Sequence, residues 1–163
     1  IDGGMAIYSS HIPLDVHAEW GNNARLADGI GLQDRESFFP WKGIDLGVAG
    51  TLDVSLLDLA EQLSVLLDGP VHTCPGGIEA AGRIGIITGG AGSEVSAIQA
   101  SGIDTFITGE GPHWSYTLAE ELGINVIYGG HYATETFGVK ALAEVLADRF
   151  GLDQTFIDHP TGL

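Results

Sequence analysis

The chain has 163 residues, and 44% of them are apolar, which is enough to bury a core and excludes wholesale disorder. Six basic residues against 22 acidic ones set the net charge at −16 with a pI near 4.3, so phosphate backbones and anionic lipid surfaces are repelled. No apolar run approaches the ~18 residues of a membrane span, and the single cysteine, Cys74, excludes an internal disulfide and a thiolate zinc cage; the expectation is a soluble protein of a reducing cytoplasm.

In chain order, residues 5–8 read as a short strand that empties into Ser9, Ser10 and His11, with Pro13 suited to a first helical turn. Asn22 and Asn23 stand where caps are expected for a short helix containing Ala24, Leu26 and Ala27. Residues 33–54 mix Phe38, Phe39, Pro40 and Trp41 with several glycines and read as loop and irregular strand. Between residues 54 and 67, Leu56, Leu59, Leu63 and Leu66 recur at helical spacing, and Asp68-Gly69-Pro70 ends that helix.

The second half alternates. Residues 83–88 predict a strand, Gly89 to Ser93 a glycine-rich turn, and the following residues to Ala100 a helix. A strand at 104–108, a helix at 115–122, a strand at 125–128, a long helix at 134–150 and a closing strand at 155–157 follow. Such alternation predicts an α/β sheet, parallel for most of its strands, with active groups at the strands' carboxyl ends. The Gly89–Ser93 turn has no following lysine and is therefore no Walker loop. Cys74 has no local base, and His17, His72 and His159 lack partners at useful spacing.

An internal repeat is the most informative feature. Gly3-Gly4-Met5-Ala6-Ile7-Tyr8-Ser9-Ser10-His11, followed by Asp15, matches Gly123-Ile124-Asn125-Val126-Ile127-Tyr128-Gly129-Gly130-His131, followed by Glu135. The offset is constant, 131 − 11 = 120, and each copy ends in a histidine with a carboxylate four residues later. A strand, turn and helix precede the later copy, so a counterpart is expected ahead of Ile1. Histidine with carboxylate suits zinc, manganese, iron, nickel or cobalt, and one carboxylate per copy could bridge two ions. Structural roles remain open for each residue: His11 or Asp15 as caps, Glu135 as a favourable charge at a helix start. Glu110 and His113 occupy a turn after a strand, where substrate contacts would lie.

At these residues the sequence resembles the dinuclear-metal-centre hexameric protein family, the NGG-interacting-factor-three-like proteins, commonly labelled GTP cyclohydrolase 1 type 2 homologues. The matching stretches are YSSHIPLDVHAEWGNNARLA at 8–27, DTFITGE at 104–110 and GGHYATETFGVKAL at 129–142, with TFIDHPTGL closing the chain. The resemblance implies a duplicated, two-lobed α/β layered sandwich of mixed, mostly parallel sheets, assembled as a homohexamer with two divalent ions between the lobes. Residues 1–68 would then be the remainder of a first lobe and 69–163 a second lobe intertwined with it. Carried over, the metal ligands are Asp15, His131 and Glu135, with His11 beside the site in a catalytic or supporting part; His11 or Glu110, the latter from its place in the turn after a strand, would move protons. The family's amino-terminal His-His pair has no counterpart here, which leaves the ligand set partial. The implied activity is metal-dependent hydrolysis of a nucleotide-like heterocycle by activated water. A non-catalytic metal-binding ring, serving interaction or regulation through aromatics such as Phe38, Phe39 and Trp41, is the alternative, and a metal-free α/β domain a third.

The charge composition generates its own test. Two lysines beside twelve Asp and ten Glu suit either high salt, where ions screen the repulsion, or an ordinary acidic protein. Adaptation to salt predicts a melting temperature that climbs with KCl concentration, and a flat dependence removes that reading.

Overall fold

In the computed structural model, which describes residues 3–161, short helices and strands follow in the order α1 (Ile12–Asp15), α2 (Asn22–Gly29), β1 (Gln33–Trp41), β2 (Ile44–Thr51), α3 (Leu56–Leu66) and β3 (His72–Pro75). They continue as β4 (Arg83–Ile86), α4 (Val95–Ala100), β5 (Thr105–Thr108), α5 (Trp114–Leu122), β6 (Asn125–Tyr128), α6 (His131–Thr134) and α7 (Thr136–Phe150). The strands form one six-stranded mixed sheet in the order β1-β2-β4-β5-β6-β3.

Alternation along the central strands builds two cores, one on each face of the sheet. Ile84, Ile86, Ile107 and Ile127 point to the side covered by α2 and α3, where they meet Leu26, Leu59 and Leu63. Ile87, Phe106 and Val126 point to the other side, against Val95 and Ile98 of α4 and Ala119 of α5. Helices thus cover both faces, in three layers, and the expected α/β sandwich holds. The α3 start is capped by Ser55, whose hydroxyl accepts the Asp58 N–H.

Parallel pairing is confined to β4, β5 and β6; the pairs β1–β2, β2–β4 and β3–β6 are antiparallel. The parallel share is smaller than expected because residues 33–51 form a long hairpin rather than loop. Its two-residue turn holds Lys42 at φ 48° and Gly43 at φ 87°, the doubly positive geometry that matches the twist of paired strands. Pro40 is tolerated because β1 is an edge strand. Phe38 is buried in the core over Gly47 and Gly85.

Other expectations need correction. Residues 5–8 and 155–157 form no strand; Met5, Ile7, Tyr8 and Ile157 are exposed and no neighbouring strand pairs with them, and an unpaired strand leaves its backbone to water. Strand β3 escapes detection because only four residues, without apolar alternation, are held by β6. Asn22 and Asn23 do not cap α2. Gly21 is the N-cap residue, and both amides are buried inside the first turn with partners elsewhere in the fold. The long helix is broken at Glu135, which has φ −106° and ψ 12° and separates α6 from α7. Among the described residues no helix is long and apolar enough to cross a membrane.

The core predicts a contrast within α3. Leu63 is fully buried and Val65 is 83% exposed. Leu63→Ala is expected to lose about 2–5 kcal/mol in urea denaturation, and Val65→Ala to stay within about 0.5 kcal/mol of the parent.

Candidate metal centre

The two repeat corners meet at the carboxyl ends of the central strands. In the first copy His11 leads into the single turn α1, which ends at Asp15. In the second copy His131 opens the single turn α6, and Glu135 follows it. One ligand atom each from His11, Asp15 and Glu135 lie within 4.8 Å of one another. His131 joins through Glu135, its Nε2 standing 3.4 Å from Glu135 Oε1, and Glu110 joins through His131 at 2.8 Å between Oε1 and Nδ1. His11, Asp15, Glu110, His131 and Glu135 therefore arrive in one place, whereas His113 stands exposed at the start of α5.

Glu110 settles the imidazole's tautomer. With the carboxylate ionised, Nδ1–H donates to it, and the Nε2 lone pair is left facing Glu135. Carboxylates that hold a histidine this way orient it toward a cation and raise its basicity. The charges repel one another in the absence of a cation. Burial pushes the Glu135 carboxyl up, the Asp15 charge pushes it further, and His131 and His11 oppose the rise. The hydrogen bond from Glu110 lifts His131 against the cost of its burial, with the Glu135, Glu110 and Asp15 charges adding to the rise. A set of imidazole and carboxylate atoms gathered this closely fits a divalent ion, which would relieve the repulsion directly.

The walls were less legible in the sequence than the ligands. Gly89, at φ 71°, brings the backbone against the site, and a Cβ there would overlap Glu135 Oε1. The glycine-rich turn is thus one wall of the site as well as a connector. Its carbonyl accepts from Gly109 N at 2.8 Å and Glu110 N at 2.9 Å, while its own N–H reaches the buried Thr134 hydroxyl at 3.1 Å. Gly130 N in turn donates to Gly109 O at 2.9 Å, so the three loops after β4, β5 and β6 are stitched together. Asn23 anchors the first of them: its Oδ1 accepts from Thr88 N at 2.9 Å, and its Nδ2 donates to Leu46 O at 2.7 Å. Of the residues set aside from the sequence, His17 stacks on Trp20 at 4.5 Å and Cys74 is buried, its thiol pushed up by burial.

Comparison with known proteins agrees with this architecture. The family Duf34/NIF3 (NGG1p interacting factor 3) matches residues 1–161. A protein of Deinococcus radiodurans named GTP cyclohydrolase 1 type 2 homolog is 40% identical over all of this chain and 63% of its own length. One of the same name from Halobacterium salinarum is 40% identical over all of this chain and 66% of its own. A crystal structure from Thermus thermophilus superposes with a TM-score of 0.84 at 40% identity, covering 99% of this chain and 64% of the other. Reduced HcgD from Methanocaldococcus jannaschii gives 0.78 at 26% identity, covering 90% and 58%. The chain spans somewhat less than two thirds of the length of these relatives. It belongs to the DUF34/NIF3 family.

The raised carboxyl yields a prediction with a definite sign. A group whose folded-state value is raised contributes stability at low pH and loses it as pH rises through that value. Glu135→Gln is therefore expected to melt above the parent at neutral pH without metal, by about 2–4 °C, the shift that ~1 kcal/mol produces in a chain of this size. Below the ordinary glutamate value the difference should vanish. A variant that melts lower than the parent at neutral pH contradicts the electrostatic account.

Proposed function

We propose that this member of the DUF34/NIF3 family is a divalent-metal-dependent hydrolase acting on a nucleotide-like heterocycle. The observation that carries the reading is the convergence of His11, Asp15 and Glu135, with His131 held beside them by Glu110. Asp15, His131 and Glu135 would hold the metal. Bound there, a divalent ion supplies Lewis acidity and activates water at neutral pH. The donor set suits zinc, iron, manganese, nickel or cobalt, and two ions are proposed for the whole protein.

The protein's own groups supply the rest. His11 is exposed at the rim and stands where it can take a proton from an attacking water or return one to a leaving group. Glu110, through Nδ1 of His131, holds the imidazole in one tautomer and is a second proton carrier. A cleft of about 600 Å³ adjoins the cluster, within the usual size of small-molecule sites. Tyr132, Thr136 and Phe156 line both this cleft and the hollow at Glu110, His131 and Glu135. Phe156 offers an aromatic face, and the Lys140 ammonium lies 4.4 Å from its centre. A planar ring carrying an anionic group fits those features, and relatives named GTP cyclohydrolase 1 type 2 homologues point to the same class.

A second proposal concerns assembly. Strands β1 and β3 end the sheet, and Leu57, Val65 and Ile78 are exposed. Such edges and apolar side chains support a homo-oligomer, proposed as a hexamer, whether the centre is catalytic or regulatory.

The decisive measurement is ring opening of GTP by the full gene product with added metal. The parent is expected to exceed Asp15→Asn by at least about 100-fold, as loss of a metal ligand removes the charge stabilisation that drives such reactions. Turnover no higher than that of Asp15→Asn overturns the hydrolase reading. If alanine at His131 and Glu135 changes only the assembly mass, the regulatory alternative is supported instead.

A further inference from the structure

Asn22 is buried, at 3% exposure, yet both ends of its amide are engaged. Its Nδ2 donates to Asp15 Oδ1 at 2.7 Å, and its Oδ1 accepts from Gly138 N at 2.6 Å. The second bond spans 116 residues and lands on the third residue of α7. A helix leaves its first N–H groups without intrahelical partners, and the N-cap side chain ordinarily satisfies the one at the third position. Here the N-cap residue is Glu135, and its side chain makes no such bond. Asn22 does that work from another helix, and the Glu135 carboxylate remains free to face Asp15 and His11. The approach is close enough that a Cβ on Gly138 would lie 3.0 Å from Asn22 Oδ1.

We infer that Asn22 is the positioning residue of the metal centre, a single amide that orients Asp15 directly and releases Glu135 by capping its helix in its place. The inference rests on the reading of Asp15 and Glu135 as ligands. Asn22 touches no reacting atom. It acts through geometry: the N–H donor fixes which Asp15 oxygen is occupied and leaves the other for the cation. The Oδ1 acceptor ties α7, and with it Glu135, to the segment that carries Asp15. Asn125 is likewise buried, but its side chain bonds Gly77 N, Ile78 O and Thr105 Oγ1 at the amino-terminal ends of β5 and β6, none of them a ligand or part of a ligand's helix.

That pairing supplies the test. Zn²⁺ affinity is measured on the full gene product by competition with a chromogenic chelator, with the melting temperature of the metal-free protein recorded alongside. Asn22→Leu, which keeps the volume and removes both polar ends, is expected to weaken Zn²⁺ binding about 10–100-fold, as loss of a partner that orients a ligand does. Asn125→Leu is expected to lower the melting temperature at least as much while leaving affinity within about threefold, a spread below the ~1.4 kcal/mol of a tenfold change. Asn22→Ala serves as a second variant should leucine prevent folding, with the same expected loss. Parent-like affinity in both Asn22 variants overturns the inference, as does an equal loss in Asn125→Leu. Asp15→Asn discriminates the levels: if it binds Zn²⁺ as the parent does, the ligand reading itself fails. If it loses affinity and the Asn22 variants do not, only the positioning role falls.

Discussion

The carboxylates of Asp15 and Glu135 start from positions 120 residues apart and meet beside two imidazoles, with ligand atoms of Asp15, Glu135 and His11 inside 4.8 Å. Charges of one sign so close, and partly out of water, repel several times more strongly than they would in bulk solvent. Burial pushes the Glu135 carboxyl up first, and the Asp15 charge adds to the rise. A chain with a net charge of −16 concentrates several of its carboxylates here, and the arrangement persists only because the surrounding backbone is over-determined. A cation converts the same repulsion into attraction, so the feature that strains the metal-free protein is the one that favours binding.

The scaffold that resists this repulsion is made mostly of backbone. Three parallel strands end side by side, and the loops leaving them are joined through the backbones of Gly89, Gly109 and Gly130, with the Thr108 and Thr134 hydroxyls adding to the links. Glycine permits the approach: a Cβ at Gly109 would sit 2.6 Å from Gly89 O and 2.7 Å from His131 Cα. Thr134 closes the ring from α6, its hydroxyl accepting from Gly89 N and donating toward the carbonyls of its own turn. Asn22 and Asn23 then fasten the first repeat corner to α7 and to the end of β4. Two adjacent amides thus connect elements that share no strand pairing.

Much of this was readable in the residues, for identifiable reasons. The helix at Leu56–Leu66 and the strands at Arg83–Ile86, Thr105–Thr108 and Asn125–Tyr128 announce themselves because one periodicity or one apolar run dominates each. The repeat exposed the histidine and carboxylate corners because spacing survives where residue identity does not. The hairpin at residues 33–51 was hidden by Phe39, Lys42 and Asp34, whose positive φ values no propensity would predict. The helical periodicity runs through Glu135, and only the structure shows the break there between α6 and α7. Asn22 and Asn23 misled for a related reason. An asparagine near a helix start resembles a cap, and only the neighbouring elements reveal that its amide is bonded across the fold.

Order, periodicity and spacing along the chain determined the α/β class, the central strands and the identity of the residues with chemistry to offer, because those properties depend on near neighbours. Which carboxylates share a volume, which loop backbone forms the wall beside Glu135, and which amide restrains Asp15 were decided by the tertiary structure alone. Those are contacts across dozens to more than a hundred residues, set by the packing of helices against a sheet, and no local pattern encodes the distance between them.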